Sequence, residues 1–371
     1  MKKIFFAIVF VLLSNLSFSQ SEQSLIENCI QNYIQGTSYN QPDSISKAFY
    51  PEANLFLSHK EKPLWIVPIS EYVSWFQKSN KGEFNGRVGK IISVEFFNDI
   101  AIAKAEILIP EKKLEFMDMF LLKKIQGDWK IISKAASSKA SNKSGKKILF
   151  IVSNADHYGN STIATGNSFV EIVNAYDTFV NAGYTVDFLS PKGGAIPLAY
   201  INTSDNLQKQ YLYNQDFMYN VAHTLTPKEI DYKAYKAVHY IGGGSAMYDV
   251  PENADIQRLV MQLYEDNNGI ISSVCHGTAG IVNLKTKNGK FLVDGKKISG
   301  YPDSFEIQDG EYFKHFPFLI QKTIEERGGS FKFSKRNESF VEQDGRIVTG
   351  QNFQSSNGVA LKIIELIEKS K

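Results

Sequence analysis

Two cysteines occur in the 371-residue chain, and one of them stands where a cysteine can act as a nucleophile. The run Ile270-Ile271-Ser272-Ser273-Val274-Cys275-His276-Gly277-Thr278-Ala279-Gly280 reads as a buried strand that ends on Cys-His-Gly and opens into small residues suited to starting a helix. A nucleophile on such a strand-to-helix turn is lifted out of the sheet, and small neighbours are needed because the backbone folds back sharply there. A helix N-terminus behind the sulfur favours the thiolate, the reactive form of cysteine. This reading predicts a thiol pKa below that of free cysteine and fast alkylation of Cys275. Taken alone, the same run also fits an inert buried cysteine that merely ends a strand.

The elements that must position this thiol follow from pattern. Ile148 to Ser153 is a continuous apolar run of the kind a parallel strand buried on both faces requires. Helix then strand follow at 168–182 and 185–189, a strand at 237–241, a helix at 254–266, and the strand leading to Cys275 with a helix from Thr278. A helical stretch at 318–327, a hairpin at Asp344-Gly345 and a final helix from Asn357 complete it. Alternation of this kind predicts a doubly wound, flavodoxin-like α/β domain with a parallel sheet, whose ligands collect at the carboxyl ends of the strands.

Composition excludes several classes. With 41 Lys+Arg against 39 Asp+Glu and no basic stripe, nucleic acid is not an expected partner. The N-terminus carries Lys2-Lys3, an apolar run from Ile4 to Leu13 and small residues at Ser17 and Ser19, the pattern of a secretory signal peptide over residues 1–20. The apolar run is well short of the ~20 residues that span a bilayer. The expectation is therefore an exported protein, periplasmic or secreted, with no membrane partner. Two cysteines exclude a disulfide framework, and Cys29 falls on the apolar face of an amphipathic stretch with Leu25, Ile26, Ile30 and Tyr33. Among the remaining histidines, His223, His239 and His315 lack metal-like spacing, so neither a metal nor an organic cofactor is expected.

The polar sequence KAASSKASNKSGKK over Lys134–Lys147 predicts a linker at 136–146. Before it, residues 21–135 show a helix followed by long strands at Val88–Phe97, Ile100–Ile109, Leu114–Lys124 and Trp129–Ser133, separated by Asn98-Asp99 and Gly127-Asp128 turns. That is a small α+β domain. Its helix, the segment Phe49-Tyr50-Pro51-Glu52-Ala53 and the closing Gly127-Asp128-Trp129-Lys130-Ile131-Ile132 resemble the nuclear-transport-factor-2-like, lumazine-binding-like superfamily, a curved sheet wrapped on helices. Tyr33, Asp43, His59 and Trp75 are its candidate pocket residues.

Residues 147–371 carry four motifs in order that resemble the ThiJ/PfpI superfamily, a class I glutamine-amidotransferase-like fold, and within it the glyoxalase III and heat-shock chaperone deglycase branch. The motifs are Thr165-Gly166-Asn167-Ser168-Phe169-Val170-Glu171, Gly242-Gly243-Gly244-Ser245 through Pro251, Ser299-Gly300-Tyr301-Pro302-Asp303-Ser304-Phe305-Glu306, and Gly345-Arg346-Ile347-Val348-Thr349-Gly350-Gln351-Asn352. The resemblance implies that Glu171 reaches the cysteine and that Glu306 holds His276. Glu171, set among Phe169, Val170, Ile172 and Val173, is expected to be buried with a raised pKa and to shuttle a proton. Backbone N–H groups of Gly243, Gly244 and His276 are candidate oxyanion donors, and His157 a candidate pocket residue at the end of the first strand. Two departures stand out. Relatives usually read Gly-Gly-His-Gly where this chain has Gly242-Gly243-Gly244-Ser245, and many have a proline later in the cysteine turn.

The resemblance implies a glutathione-independent glyoxalase or deglycase, a hydro-lyase that converts an α-oxoaldehyde such as methylglyoxal to a hydroxy acid. A cysteine amidase or peptidase suits the same elbow. A chaperone or thiol-based redox sensor is the non-enzymatic alternative. The partner is then a small carbonyl or amide compound, and a homo-oligomer is compatible with the sequence.

Overall fold

The computed structural model describes residues 21–77 and 80–370, so the expected signal peptide lies outside the described residues. The chain forms two compact units. One holds the residues up to Glu106 together with Met117–Ser137, the other Ile107–Phe116 and Ser138–Lys371.

In the first unit, Ser21 starts α1 (Glu22–Ser38), its side chain accepting from the Ser24 N–H. Ile26, Cys29, Ile30 and Tyr33 are buried along one face, as their spacing predicts. Then come α2 (Pro42–Ala48), β1 (Phe49–Leu57), β2 (Trp65–Pro68), α3 (Ile69–Ser74), β3 (Val88–Phe97), β4 (Ile100–Ile109), β5 (Leu114–Ile125) and β6 (Asp128–Ala140), in a sheet of order β2-β1-β6-β5-β4-β3. The run expected as a linker is strand as far as Ala140, leaving only 141–146 outside regular structure. Composition misled here because Lys134, which opens that run, is a buried charge rather than a solvated one. Its Nζ lies 3.0 Å from Asp118 and donates to the Tyr33 hydroxyl, which itself donates to Asp118 at 2.5 Å. A buried lysine is tolerated only when paired in this way.

The four candidate pocket residues of this unit are only partly brought together. Ring contacts run from Tyr33 through Tyr72 and Trp75 to Trp65 and His59. Asp43 instead pairs with Lys81 at the surface.

The second unit contains β7 (Lys147–Ile151), β8 (Asn167–Ser168), α4 (Phe169–Asn181), β9 (Thr185–Leu189), β10 (Leu198–Ala199), α5 (Asn206–Leu212), α6 (Gln215–Ala222), β11 (Tyr235–Tyr240), α7 (Ala254–Asp266) and β12 (Ile270–Val274). It closes with β13 (Lys297–Ile298), α8 (Ile320–Glu326), β14 (Ser330–Phe331), β15 (Val341–Asp344), β16 (Ile347–Gly350) and α9 (Ser356–Lys369). The main sheet has the order β15-β16-β12-β11-β7-β9 and is parallel except for the β15–β16 hairpin. Strand alternation feeds two cores. Leu149, Ile151, Val238, Tyr240 and Ile271 point toward α7 and α8, while Ile148, Phe150, Ala237 and Ile270 point toward α4 and α9. Helices on both faces explain why β7 from Ile148 onward and all of β12 are buried.

One element differs from expectation. Where the sequence predicts a helix from Thr278, the chain makes a 3-10 turn over Cys275–Ile281. The Thr278 hydroxyl is bound to Ser273 and to the Ser299 carbonyl, which draws this segment against the sheet before an α-helix can start. The thiol therefore has no long helix dipole beneath it.

Candidate active site

Cys275 follows directly on β12 with φ of 54°, the left-handed region that a side chain with a Cβ enters at a cost of about 1–2 kcal/mol. The turn is held by its surroundings: the Tyr301 N–H donates to the Cys275 carbonyl at 3.2 Å. The sulfur is thereby lifted from the sheet while remaining almost wholly buried.

Glu171, in the first turn of α4, reaches the same spot from the neighbouring element. It is 2% exposed, its Oε2 accepts the Gly242 N–H at 2.9 Å, and its carboxyl is hydrogen-bonded to the Cys275 thiol. Gly242 must lack a side chain for this to happen, since a Cβ there would lie 2.7 Å from Glu171 Oε2 and 2.9 Å from the Cys275 Cβ. Burial pushes the Glu171 carboxyl up to about 7, against the hydrogen bonds from Cys275 and Gly242 that favour its charged form. The Cys275 thiol is pushed well above its ordinary value, first by burial and then by the Glu171 carboxylate. This corrects the expectation of a lowered thiol pKa, because desolvation and a facing carboxylate outweigh the short 3-10 turn and the His276 N–H. At neutral pH the proton rests on sulfur, and the carboxyl beside it is divided between base and acid.

His276 bridges thiol and carboxylate. Its Nδ1 lies 3.5 Å from the sulfur, and its Nε2 is 2.8 Å from Glu306 Oε1. Glu306 is nearly buried and also accepts from the Tyr312 hydroxyl at 3.1 Å. The imidazole is stacked on Tyr301, with ring centres 4.7 Å apart, and edged by Phe316. Sequence reasoning thus brings together Cys275, His276, Glu171 and Glu306. Gly243 and Gly244 close the same loop, and their amides have no hydrogen-bond partner among the described residues.

His157 is not in this group. It is half exposed and paired with Asp156 at 2.8 Å, while its neighbour Tyr158 turns inward. A histidine beside an aspartate at a loop tip is satisfied where it is, whereas the adjacent apolar ring has a core to fill. Tyr158 and Tyr200 are the residues sequence reading missed. The one available signal was the density of tyrosines in loops that follow the strands. The remaining motif residues hold loops in place. The Asn167 amide ties the Ser153 backbone to the Pro197 carbonyl, and Gln351 and Asn352 anchor the loop over 334–338. Among the described residues no group of three or more His, Cys, Asp or Glu is placed to hold a metal, and both cysteines are free thiols. A separate cleft bounded by Pro227, Tyr232 and Arg258 is lined by one carboxylate, Asp255, and by no histidine or cysteine.

Comparison with known proteins finds relatives for both units. Residues 21–136 match a family model described as putative lumazine-binding. The glutathione-independent glyoxalase HSP31 of Saccharomyces cerevisiae is 27% identical over 236 residues, spanning 60% of this chain and 98% of that protein. Glyoxalase 3 of Candida albicans is 29% identical over 237 residues, with the same shares. Among solved structures, the Rapid Encystment Protein 24 KDa of Francisella tularensis superposes with a TM-score of 0.56 at 27% identity, over 59% of this chain and 98% of that one. Glyoxalase III of Candida albicans shares the fold with a TM-score of 0.55 at 24% identity, over 60% and 98%. A thiol on a strained elbow, a buried glutamate against it and a glutamate-held histidine are thus carried by residues that match the DJ-1/PfpI family model over 162–366, and the chain belongs to the DJ-1/PfpI family.

Proposed function

We propose that the second unit is a cofactor-independent glyoxalase, which converts small α-oxoaldehydes such as methylglyoxal to hydroxy acids. The observation that carries this reading is the buried Glu171 carboxyl hydrogen-bonded to the Cys275 thiol, with its pKa at about 7. Such a group can both accept and return a proton at neutral pH. The names of the relatives point the same way.

The steps balance without a cofactor. The Cys275 sulfur adds to the aldehyde carbon as Glu171 takes the thiol proton and returns it to the aldehyde oxygen, giving a hemithioacetal. Glu171 then removes the hydrogen of that carbon, and the electron pair passes to the adjacent carbonyl oxygen. Reprotonation of the second carbon leaves a thioester of the hydroxy acid. Water, activated by His276 held against Glu306, releases the acid and restores the thiol. Amides of Gly243 and Gly244 are suited to receive the oxyanion formed in that last step.

Cysteine hydrolysis of amides is the second reading, and the Cys275–His276–Glu306 alignment favours it. Glu171 separates the two, since acyl transfer gives it no proton to move between carbons. A redox sensor needs an accessible thiolate, and the buried, raised thiol is the opposite. The deciding experiment assays the purified protein in parallel with methylglyoxal and an amide library, with Cys275→Ala as control. Amide turnover without hydroxy acid formation would overturn the proposal.

Glu306→Gln is expected to lower kcat/KM for methylglyoxal roughly ten- to a hundredfold, because a charge-assisted hydrogen bond of about 1.5–3 kcal/mol orients the ring. An unchanged rate would show that His276 needs no partner. We also infer export from the Lys2-Lys3 start and the apolar run behind it. Mass spectrometry of the native protein should find a new N-terminus between Ser17 and Ser21, and an intact Met1 would defeat it.

A further inference from the structure

Over the glycine loop, the volume that a side chain at position 244 would take is already filled. A Cβ on Gly244 would lie 2.4 Å from the Tyr158 hydroxyl and 2.4 Å from the Thr165 hydroxyl. The Thr165 hydroxyl is buried with no partner among the described residues, so this niche has hydrogen-bonding capacity to spare. Tyr158 is fixed by its ring, which packs against Tyr248, Tyr312 and Phe316 at centre distances of 6.3, 5.3 and 6.1 Å. Two residues back along the same loop, Gly242 touches Glu171 and Cys275. The phenol therefore lies against the same glycine loop that holds the reacting pair, two positions further along.

Tyr200 joins it from the other side. After β10 pairs with β8 through Leu198 and Ala199, Tyr200 takes φ of 58°. A bulky side chain rarely adopts this region, at a cost of about 1–2 kcal/mol. The residue is 57% exposed, so core packing does not repay that cost. What the turn achieves is to bring the Tyr200 hydroxyl to that of Tyr158, within the electrostatic reach of Cys275 and Glu171. Strain of this kind on a half-exposed residue marks a site rather than a packing need.

We infer that Tyr158 and Tyr200 form a phenol pair that grips the second carbonyl oxygen of a vicinal dicarbonyl while Cys275 adds to the first. The inference rests on the glyoxalase reading and names the side chains that select its substrate class. When Glu171 removes the C1 hydrogen, the electron pair moves onto the C2 oxygen, and two phenol O–H groups are the donors that meet the growing charge. A simple aldehyde has no oxygen at that position and gains nothing from the pair.

The test uses the full-length protein with Tyr158→Phe and Tyr200→Phe, which keep both rings. Protection of Cys275 from iodoacetamide is titrated with methylglyoxal and with propanal, alongside turnover. Each variant should need roughly three- to tenfold more methylglyoxal for half-protection, the worth of one hydrogen bond, with propanal unchanged. Turnover should fall further than binding, by up to about a hundredfold, because the charge on C2 exists only beyond the ground state. Variants that hold methylglyoxal as tightly as wild type, or that lose both aldehydes alike, overturn the pair. So does a wild-type protein that neither aldehyde protects. Should the wild type show selective protection but no turnover, the glyoxalase reading fails and the phenol pair stands. Normal turnover in all variants would leave the reading intact and remove the pair.

Discussion

Cys275→Ala should reduce the conversion of methylglyoxal to the uncatalysed rate, with no residual activity assignable to His276 or Glu171. Every later step passes through the sulfur–carbon bond, so removing the sulfur removes the intermediate rather than slowing one step. The fold should survive, because Ala fits the same volume and is tolerated in a turn whose neighbours hold the backbone. Cys29 offers no substitute: it is buried, its thiol donates to the Ala48 carbonyl, and burial pushes its pKa up to about 12. Hydroxy acid formation that persists in Cys275→Ala, followed by chromatography of the product, would move the chemistry elsewhere in the chain.

Glu171→Gln should remove about a hundred- to ten-thousandfold of kcat, the usual worth of a positioned acid–base group. The amide keeps the shape and can still accept the Gly242 N–H, but it carries no proton. In the wild type, activity should rise with pH through about 7 as Glu171 ionises, and that limb should vanish in the variant. Stability should move oppositely. Because the folded-state pKa is raised from 4.5 to about 7, burial of Glu171 is harmless below 4.5 and increasingly destabilising as pH rises to about 7. Above that window the cost is about 3 kcal/mol, since each tenfold weakening of the acid on folding costs about 1.4 kcal/mol. Glu171→Gln should therefore raise the Tm of the protein near pH 8 and leave it nearly unchanged near pH 4. The thiol pKa should also fall toward its ordinary value once the facing carboxylate is gone, an effect readable from thiolate absorbance. A variant with wild-type turnover and an unaltered pH profile would end the proton-shuttle mechanism.

These two residues are legible in the sequence, Cys275 from its local pattern and Glu171 from the motif that the resemblance supplies. Cys275 follows a buried strand and precedes small residues, a pattern that a tight turn explains, and the motifs around it tip the balance from an inert cysteine to a nucleophile. Glu171 lies in a stretch too apolar for a solvated helix face. Glu306 and the glycine loop came from motif order, and the sheet from the alternation of buried strands with amphipathic helices. The α1 face in the first unit, including Cys29, was equally plain because helical spacing is short-range.

What the sequence did not carry depends on groups brought together from distant segments. The thiol pKa turns on how deeply β12 ends inside the fold and on a carboxylate 104 positions earlier in the chain, so the local expectation of a helix N-terminus had the wrong sign. Lys134 looked like a linker residue because its partners, Tyr33 and Asp118, lie on other elements. The place of His157 at the carboxyl end of the first strand makes it a pocket candidate, but which of two adjacent residues turns inward is decided by Tyr248, Tyr312 and Phe316 packing around the Tyr158 ring. Residue types and near-neighbour spacing determined the fold and the nucleophile. Burial and long-range approach decided the charge state of that nucleophile and the side chains that face it, because desolvation and Coulomb interactions act through space and not along the chain.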